Sequence, residues 1–398
     1  MTEKSRIFDD TAHLAKRFGH TLACCVFCGI LAMLVGLAFW VQDRLSDLRS
    51  HPIDFYALSD QNLVVEQGLT RIQTGMMKLG FIEKYDPPRI GLFGNHQFKY
   101  FGGDSLKNNP APIDFFNFWY ANLSLTEVRD YLAYLEAIGK LPTETILIQI
   151  TTPNNDNGQY IVGYNFELPP DLIQFGDRDS SNLSLLYLKH RFETLRHSLK
   201  NALKYSSFIF GVLGTRNESR IVDLAVCESG LDGKKLPRFS RILNLLPKGV
   251  REFLGSGGVS HAYCDRALWA NAFRRDGSHD GRFQRHHPVL NQNSLDATKT
   301  QLRPVDIPKL VGTMRDIEAI GRRNGRKIAF IVPPVYETDR YSTVDRVLSA
   351  AIEKLPGTLV IDHRKFRGGP DYFIKYDHPS PKYFQLLAQD LRRLRLID

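Results

Sequence analysis

The sequence predicts an α/β fold: a doubly wound, flavodoxin-like parallel sheet of about five strands with a large insertion, preceded by one N-terminal transmembrane helix. Three observations predict it. Short apolar runs that end in polar residues alternate with helical apolar spacing over 89–156 and again over 305–398. The stretch between them, 157–304, breaks that alternation. An uncharged run from Thr21 to Gln42 stands ahead of all of it.

That run spans roughly 30 Å at about 1.5 Å per helical residue, one bilayer core. A cleaved signal peptide has a shorter apolar region and leaves through small residues. Here the exit is Phe39-Trp40-Val41, an interfacial aromatic pair, followed by Asp43-Arg44. Lys4, Arg6, Lys16 and Arg17 precede the run, so the positive-inside rule keeps residues 1–20 as a cytoplasmic tail. Everything from residue 43 onward is then extracytoplasmic, periplasmic in a bacterium. With 398 residues, 43% of them hydrophobic, the exported part is long enough to fill a sizeable core. The formal charge of +9 favours phospholipid heads, phosphate-bearing polymers or acidic glycans. Nucleic acid suits the same charge and is excluded by the topology.

Cys24, Cys25 and Cys28 fall inside the apolar run as small fillers. Cys227 and Cys264 are the exported pair, read either as one disulfide or as two buried thiols.

Residues 43–88 read as a membrane-proximal helical region, with Val65, Leu69, Ile72, Met76 and Leu79 on one stripe and Asp86-Pro87-Pro88 as its end. The first strand, about 89–93, stops at Gly94 and presents Asn95 and His96. A second run, Ile113 to Trp119, looks like a strand. Ser124-Leu125-Thr126-Glu127 is a capping box for a helix whose Val128, Tyr131, Leu132, Leu135 and Ile138 share a face before Gly139 stops it. A third strand, Thr145 to Ile150, ends in Thr151-Thr152-Pro153-Asn154-Asn155-Asp156.

In the insertion, Leu185, Leu188, Phe192, Leu195, Leu199 and Leu203 mark an amphipathic helix. Residues 205–303 then collect many Lys and Arg, either a solvated face or a contact with anionic lipid or polymer. The alternation resumes with Ile307, Leu310, Val311, Met314, Ile317 and Ile320 on a helix and Lys327 to Val332 on a fourth strand. A helix over about Val344 to Lys354 and a fifth strand, Thr358 to Ile361, follow. Tyr376-Asp377-His378-Pro379-Ser380-Pro381 introduces the last helix, with Ser380 as N-cap and Pro381 as its first residue. The expected strand order is 2-1-3-4-5, which puts the ends of strands one and three beside the switch-point crevice.

With those blocks in view, the layout resembles the SGNH (GDSL-type) hydrolase superfamily of esterases and acyltransferases, over about 89–156 and 305–395. The resemblance implies an extracytoplasmic enzyme of acyl transfer or ester hydrolysis on cell-envelope polysaccharide or lipid, working beside a multi-spanning membrane acyltransferase. On it, Asn155 in Pro153-Asn154-Asn155-Asp156 is the oxyanion donor and His378 the base. Asp377 adjoins that histidine, whereas the family places an Asp three residues upstream, where this chain has Lys375. Asn122 stands near the family's Gly block, and Asn95, Asn154 and Asp156 line the pocket. Gly94-Asn95-His96 occupies the nucleophile turn, with His96 in place of the usual Ser. That replacement sets a rival reading, a catalytically inactive fold that binds an envelope polymer or steadies a membrane acyltransferase.

A literal Gly103-Asp104-Ser105-Leu106 offers Ser105 as an alternative nucleophile. Too few residues separate it from the next strand for the helix that normally follows such a turn. Gly94-Asn95-His96-Gln97 also resembles one element of metallophosphoesterases, but the other metal-gathering motifs of those enzymes do not occur. A single metal would need His96, His378 and Asp156 or Asp377 together. Paired histidines without spaced ligand motifs serve more often as hydrogen-bonded polar residues, so no metal and no cofactor is expected.

Overall fold

A computed structural model describes residues 21–33, 36, 46, 49–52, 54–57, 62–65, 71–102, 106, 114–120, 123–150, 161–165, 168–172, 185, 187–189, 191–193, 196, 221–223, 272–278, 306–334, 342–366, 368–375 and 378–397. Its centre is a five-stranded parallel sheet built from β2 (Ile90–Phe93), β3 (Phe115–Asn117), β4 (Thr145–Gln149), β7 (Lys327–Val332) and β8 (Val360–Asp362). The order across the sheet is β3-β2-β4-β7-β8, the predicted 2-1-3-4-5. Strands β2, β3 and β4 are buried on both faces, which is why they read as near-continuous apolar runs. The second strand is shorter than the run Ile113 to Trp119 suggests. Phe118 leaves the β3 ladder, although its N–H still donates to the Leu92 carbonyl.

One face of the sheet carries α1 (Arg71–Lys84), α2 (Leu125–Ala137), α3 (Ile307–Arg323) and α4 (Ser342–Ile352), whose apolar sides meet Phe93, Ile146, Ile148, Phe330 and Val332. The other face is covered by α5 (Pro381–Arg393) together with Phe98, Tyr100, Phe101 and Leu106, packed on Ile90, Leu92, Leu147, Ala329 and Ile331. Alternate strand residues feed the two cores, as the period of two requires. Helices on both faces make the sheet doubly wound.

Local signals place the helix ends. Ser124 and Glu127 close the predicted capping box at α2, and Gly139 supplies the positive φ of 68° just beyond its end. At α5, Ser380 is the N-cap residue and Pro381 the first helical residue, but the Ser380 hydroxyl donates to the Asp371 carbonyl instead of capping. Its role is to fasten the helix start to the turn at 370–372.

The stripe expected over Val65 to Leu79 divides. Met76 and Leu79 are buried on α1, whereas Val65 lies in β1 (Asn62–Val65). β1 is the middle strand of a small antiparallel sheet with β5 (Ile221–Asp223) and β6 (Ala272–Phe273). It therefore ties the region before the central sheet to two points of 157–304. A hairpin of β9 (Phe373–Lys375) and β10 (His378–Pro379) leads into α5. Near the N-terminus residues 21–33 are helical, with Leu22, Phe27 and Met33 exposed. Among the described residues no helix is long and apolar enough to cross a membrane, and the run to Gln42 is described only in part.

Candidate functional site

The carboxyl ends of β2 and β4 adjoin at the point where the chain's crossovers run in opposite directions, the place where open α/β sheets bind ligands. β2 is followed by Gly94, where a side chain would crowd Gln149. A Cβ there would sit 2.6 Å from Gln149 Oε1 and 2.9 Å from Gln149 Cβ. The chain turns at Asn95, fully buried, into a short 3-10 turn over His96–Phe98.

Asn95 is held from two directions. Its N–H donates to Gln149 Oε1 at 2.8 Å, and its Oδ1 accepts from the Gln97 N–H at 2.9 Å. Gln149 Nε2 in turn donates to Gln97 Oε1 at 2.5 Å. Because Oδ1 must face an N–H, the other end of the Asn95 side chain is Nδ2, a buried amide donor with no acceptor among the described residues. Leaving such a donor unsatisfied costs roughly 1–3 kcal/mol, and it is the kind of group an incoming oxygen would satisfy.

His96 and His378 meet beside it. Their rings lie 4.8 Å apart between centroids, inclined at 47°. Both side chains are partly exposed. The two histidines arrive by different routes. His96 is placed by the turn after β2, whose next residues pack Phe98 and Phe101 edge-on against Phe384 of α5. His378 is placed by β10, since Ser380 N–H donates to the Tyr372 carbonyl at 2.9 Å and fixes the approach to that helix. Asn117, buried at the end of β3, supports the arrangement from below. Its Nδ2 donates to the carbonyls of Phe98 and Phe101 at 2.8 and 2.9 Å.

An imidazole can accept a proton or give one up, so two in contact offer a base and an acid at one spot. Among the described residues no three His, Cys, Asp or Glu side chains gather as a metal would require.

Of the residues singled out from the sequence, Asn95, His96 and His378 come together. Asn122, Asn154, Asn155, Asp156, Ser105 and Asp377 lie outside the described residues, as do Cys227 and Cys264. Sequence reasoning missed Gln149 and Gln97. The available signal was a polar side chain ending an otherwise apolar strand, Ile146-Leu147-Ile148-Gln149, at the level of Gly94.

Another histidine, His363, lies at the far edge of the sheet. His363, just past β8, accepts from or donates to the Tyr383 hydroxyl through Nδ1 at 3.0 Å and meets Asp390 through Nε2 at 3.1 Å. Burial is the largest influence on it and lowers its pKa despite the carboxylate. All its ring nitrogens are engaged, so it braces β8 against α5. No known family matches the chain, and no curated protein resembles it significantly.

Proposed function

We propose that this chain is a membrane-anchored, extracytoplasmic SGNH-like protein that transfers or hydrolyses an acyl ester on a cell-envelope glycan or lipid. The observation that carries the reading is the contact between His96 and His378 at the switch point of the sheet. The amide of Asn95, the residue before His96, supports it, since it has no acceptor among the described residues. In this reading His378 takes the proton from the attacking hydroxyl, of water or of the acceptor sugar, as the new carbon–oxygen bond forms. The ester carbonyl oxygen gathers charge and is met by Asn95 Nδ2 and, on the family resemblance, by Asn155. As the ester bond breaks, the leaving alkoxide takes its proton from the histidine pair, which restores the starting state. The anchor is the uncharged run Thr21 to Gln42, and a multi-spanning acyltransferase is the partner that would supply activated acyl groups.

The rival reading, a non-catalytic binder of an envelope polymer, is favoured by the absence of Ser at position 96. Release of acetate from an O-acetylated glycan separates the two. Wild type and Ser105→Ala are expected to release it, and His378→Ala to lose at least about a hundredfold, the usual worth of a general base. No release by wild type, with retained glycan binding, makes the chain a binder.

A further inference from the structure

Arg49 lies shortly after the apolar run, and its guanidinium is enclosed by the domain. Nε donates to both Glu83 oxygens at 3.0 and 2.9 Å, and Nη2 to Glu83 Oε1 at 2.5 Å and to the Tyr134 hydroxyl at 3.0 Å. Nη1 donates to Asp171 Oδ2 at 2.7 Å. The Tyr134 hydroxyl also contacts Glu83 directly. The main chain is equally engaged, because a Cβ on Gly80 would lie 2.0 Å from the Arg49 carbonyl oxygen. A few residues on, Phe55 is fully buried and edge-on to Phe81, Phe116 and Phe273. Arg49 and Phe55 thus fasten this stretch to the domain at two points, although Ser50 and His51 between them are exposed.

The clamp has a definite place on the sheet. Glu83 is in the last turn of α1, just before β2 begins, and Tyr134 is in the last turn of α2, just before β4 begins. Both mark the amino ends of the strands. His96, His378 and Asn95 lie at the carboxyl ends, where α2 starts at Ser124. The ten-residue rise from Ser124 to Tyr134 puts these two levels about 15 Å apart along the helix alone. Only Asp43 to Leu48 separate the apolar run from Arg49, a reach of at most about 25 Å fully extended.

We infer that the Arg49 clamp seats the amino edge of the sheet on the bilayer, so that the His96–His378 site opens away from the membrane and takes a water-borne acylated glycan, not a bilayer lipid. This rests on the reading of Thr21 to Gln42 as an anchor and of the site as an esterase. It narrows the substrate from glycan or lipid to glycan.

The full chain in vesicles of phosphatidylethanolamine and phosphatidylglycerol tests it. An azide-bearing residue in place of Thr143, exposed at the amino edge, or of Lys99, beside His96, is joined to a donor fluorophore, and the vesicles carry a rhodamine lipid as acceptor. The label at 143 is expected to be quenched more strongly than that at 99. A flexible Gly/Ser insert between Leu48 and Arg49 should abolish the difference. In the same vesicles acetate is released from a soluble O-acetylated glycan, and no fatty acid from the phospholipid. Equal or reversed quenching, or fatty-acid release, overturns the inference and leaves the esterase reading standing. The expected quenching order without cleavage of either substrate sinks the esterase reading, and the glycan assignment with it.

Discussion

His363 Nε2 lies 3.1 Å from Asp390 Oδ2, joining the end of β8 to the third turn of α5, and burial still holds this histidine's pKa below its ordinary 6.5. The two influences oppose each other, and loss of solvent outweighs the carboxylate, which Arg393 also engages at 2.8 Å. A histidine with a lowered folded pKa binds fewer protons in the fold than in the unfolded chain. Its contribution is fully present above about pH 6.5 and is lost as pH falls towards the lowered value. Thermal unfolding followed by circular dichroism should show the midpoint falling below that pH. His363→Gln should flatten the fall over the same range.

Gly94→Ala is expected to disturb the site without unfolding the domain. The added methyl meets Gln149, whose side chain holds the Asn95 N–H and Gln97. Displacing it costs about 1–3 kcal/mol, the range for overpacking a filled interior. Denaturant titration measures that loss. Acetate release should fall by more than stability does, because Asn95 shifts with the turn.

Lys78 is fully buried on α1, its Nζ 4.7 Å from the Trp119 ring centroid and 2.6 Å from the Asn117 carbonyl oxygen. Phe273 and Phe116 complete the enclosure at 5.6 and 5.8 Å. Lys78→Ala removes a long stem from this aromatic nest and should cost about 2–5 kcal/mol in urea unfolding. Lys78→Met keeps most of the stem's volume and should cost less than the alanine variant.

Ser124→Ala removes one half of the capping box, the oxygen that accepts from the Glu127 N–H at 3.2 Å. The same hydroxyl donates to the Gly163 carbonyl at 2.6 Å, so the tie between the start of α2 and Gly163 is lost with it. A loss of about 1 kcal/mol, up to about 2, is expected from the unfolding midpoint.

How much of this was legible in the sequence depended on whether the controlling interaction was local. Ser124 and Glu127 are three residues apart, and their capping box was readable because both partners sit in one turn. Ser380 looked equivalent, yet its hydroxyl goes to the Asp371 carbonyl, a partner from a different turn. Val65 fitted a helical stripe by spacing alone and instead pairs in β1, where strands from 221–223 and 272–273 flank it. In the site, Asn95, His96 and His378 were identifiable from their places at strand and helix ends. Gln149 was not, because its partners come from the neighbouring strand end.

By itself the sequence determined the alternation of strand and helix, the helix limits at Gly139 and Pro381, and which residues stand at strand ends. Each follows from burial periodicity or backbone chemistry within a few residues. Only the tertiary structure decided that His96 touches His378, that the Asn95 amide meets no acceptor among the described residues, and that Arg49 is gripped at the opposite edge. Those are relations between elements, set by the order in which β2, β4 and α5 pack. Local spacing carries no information about which strand end a distant turn will face.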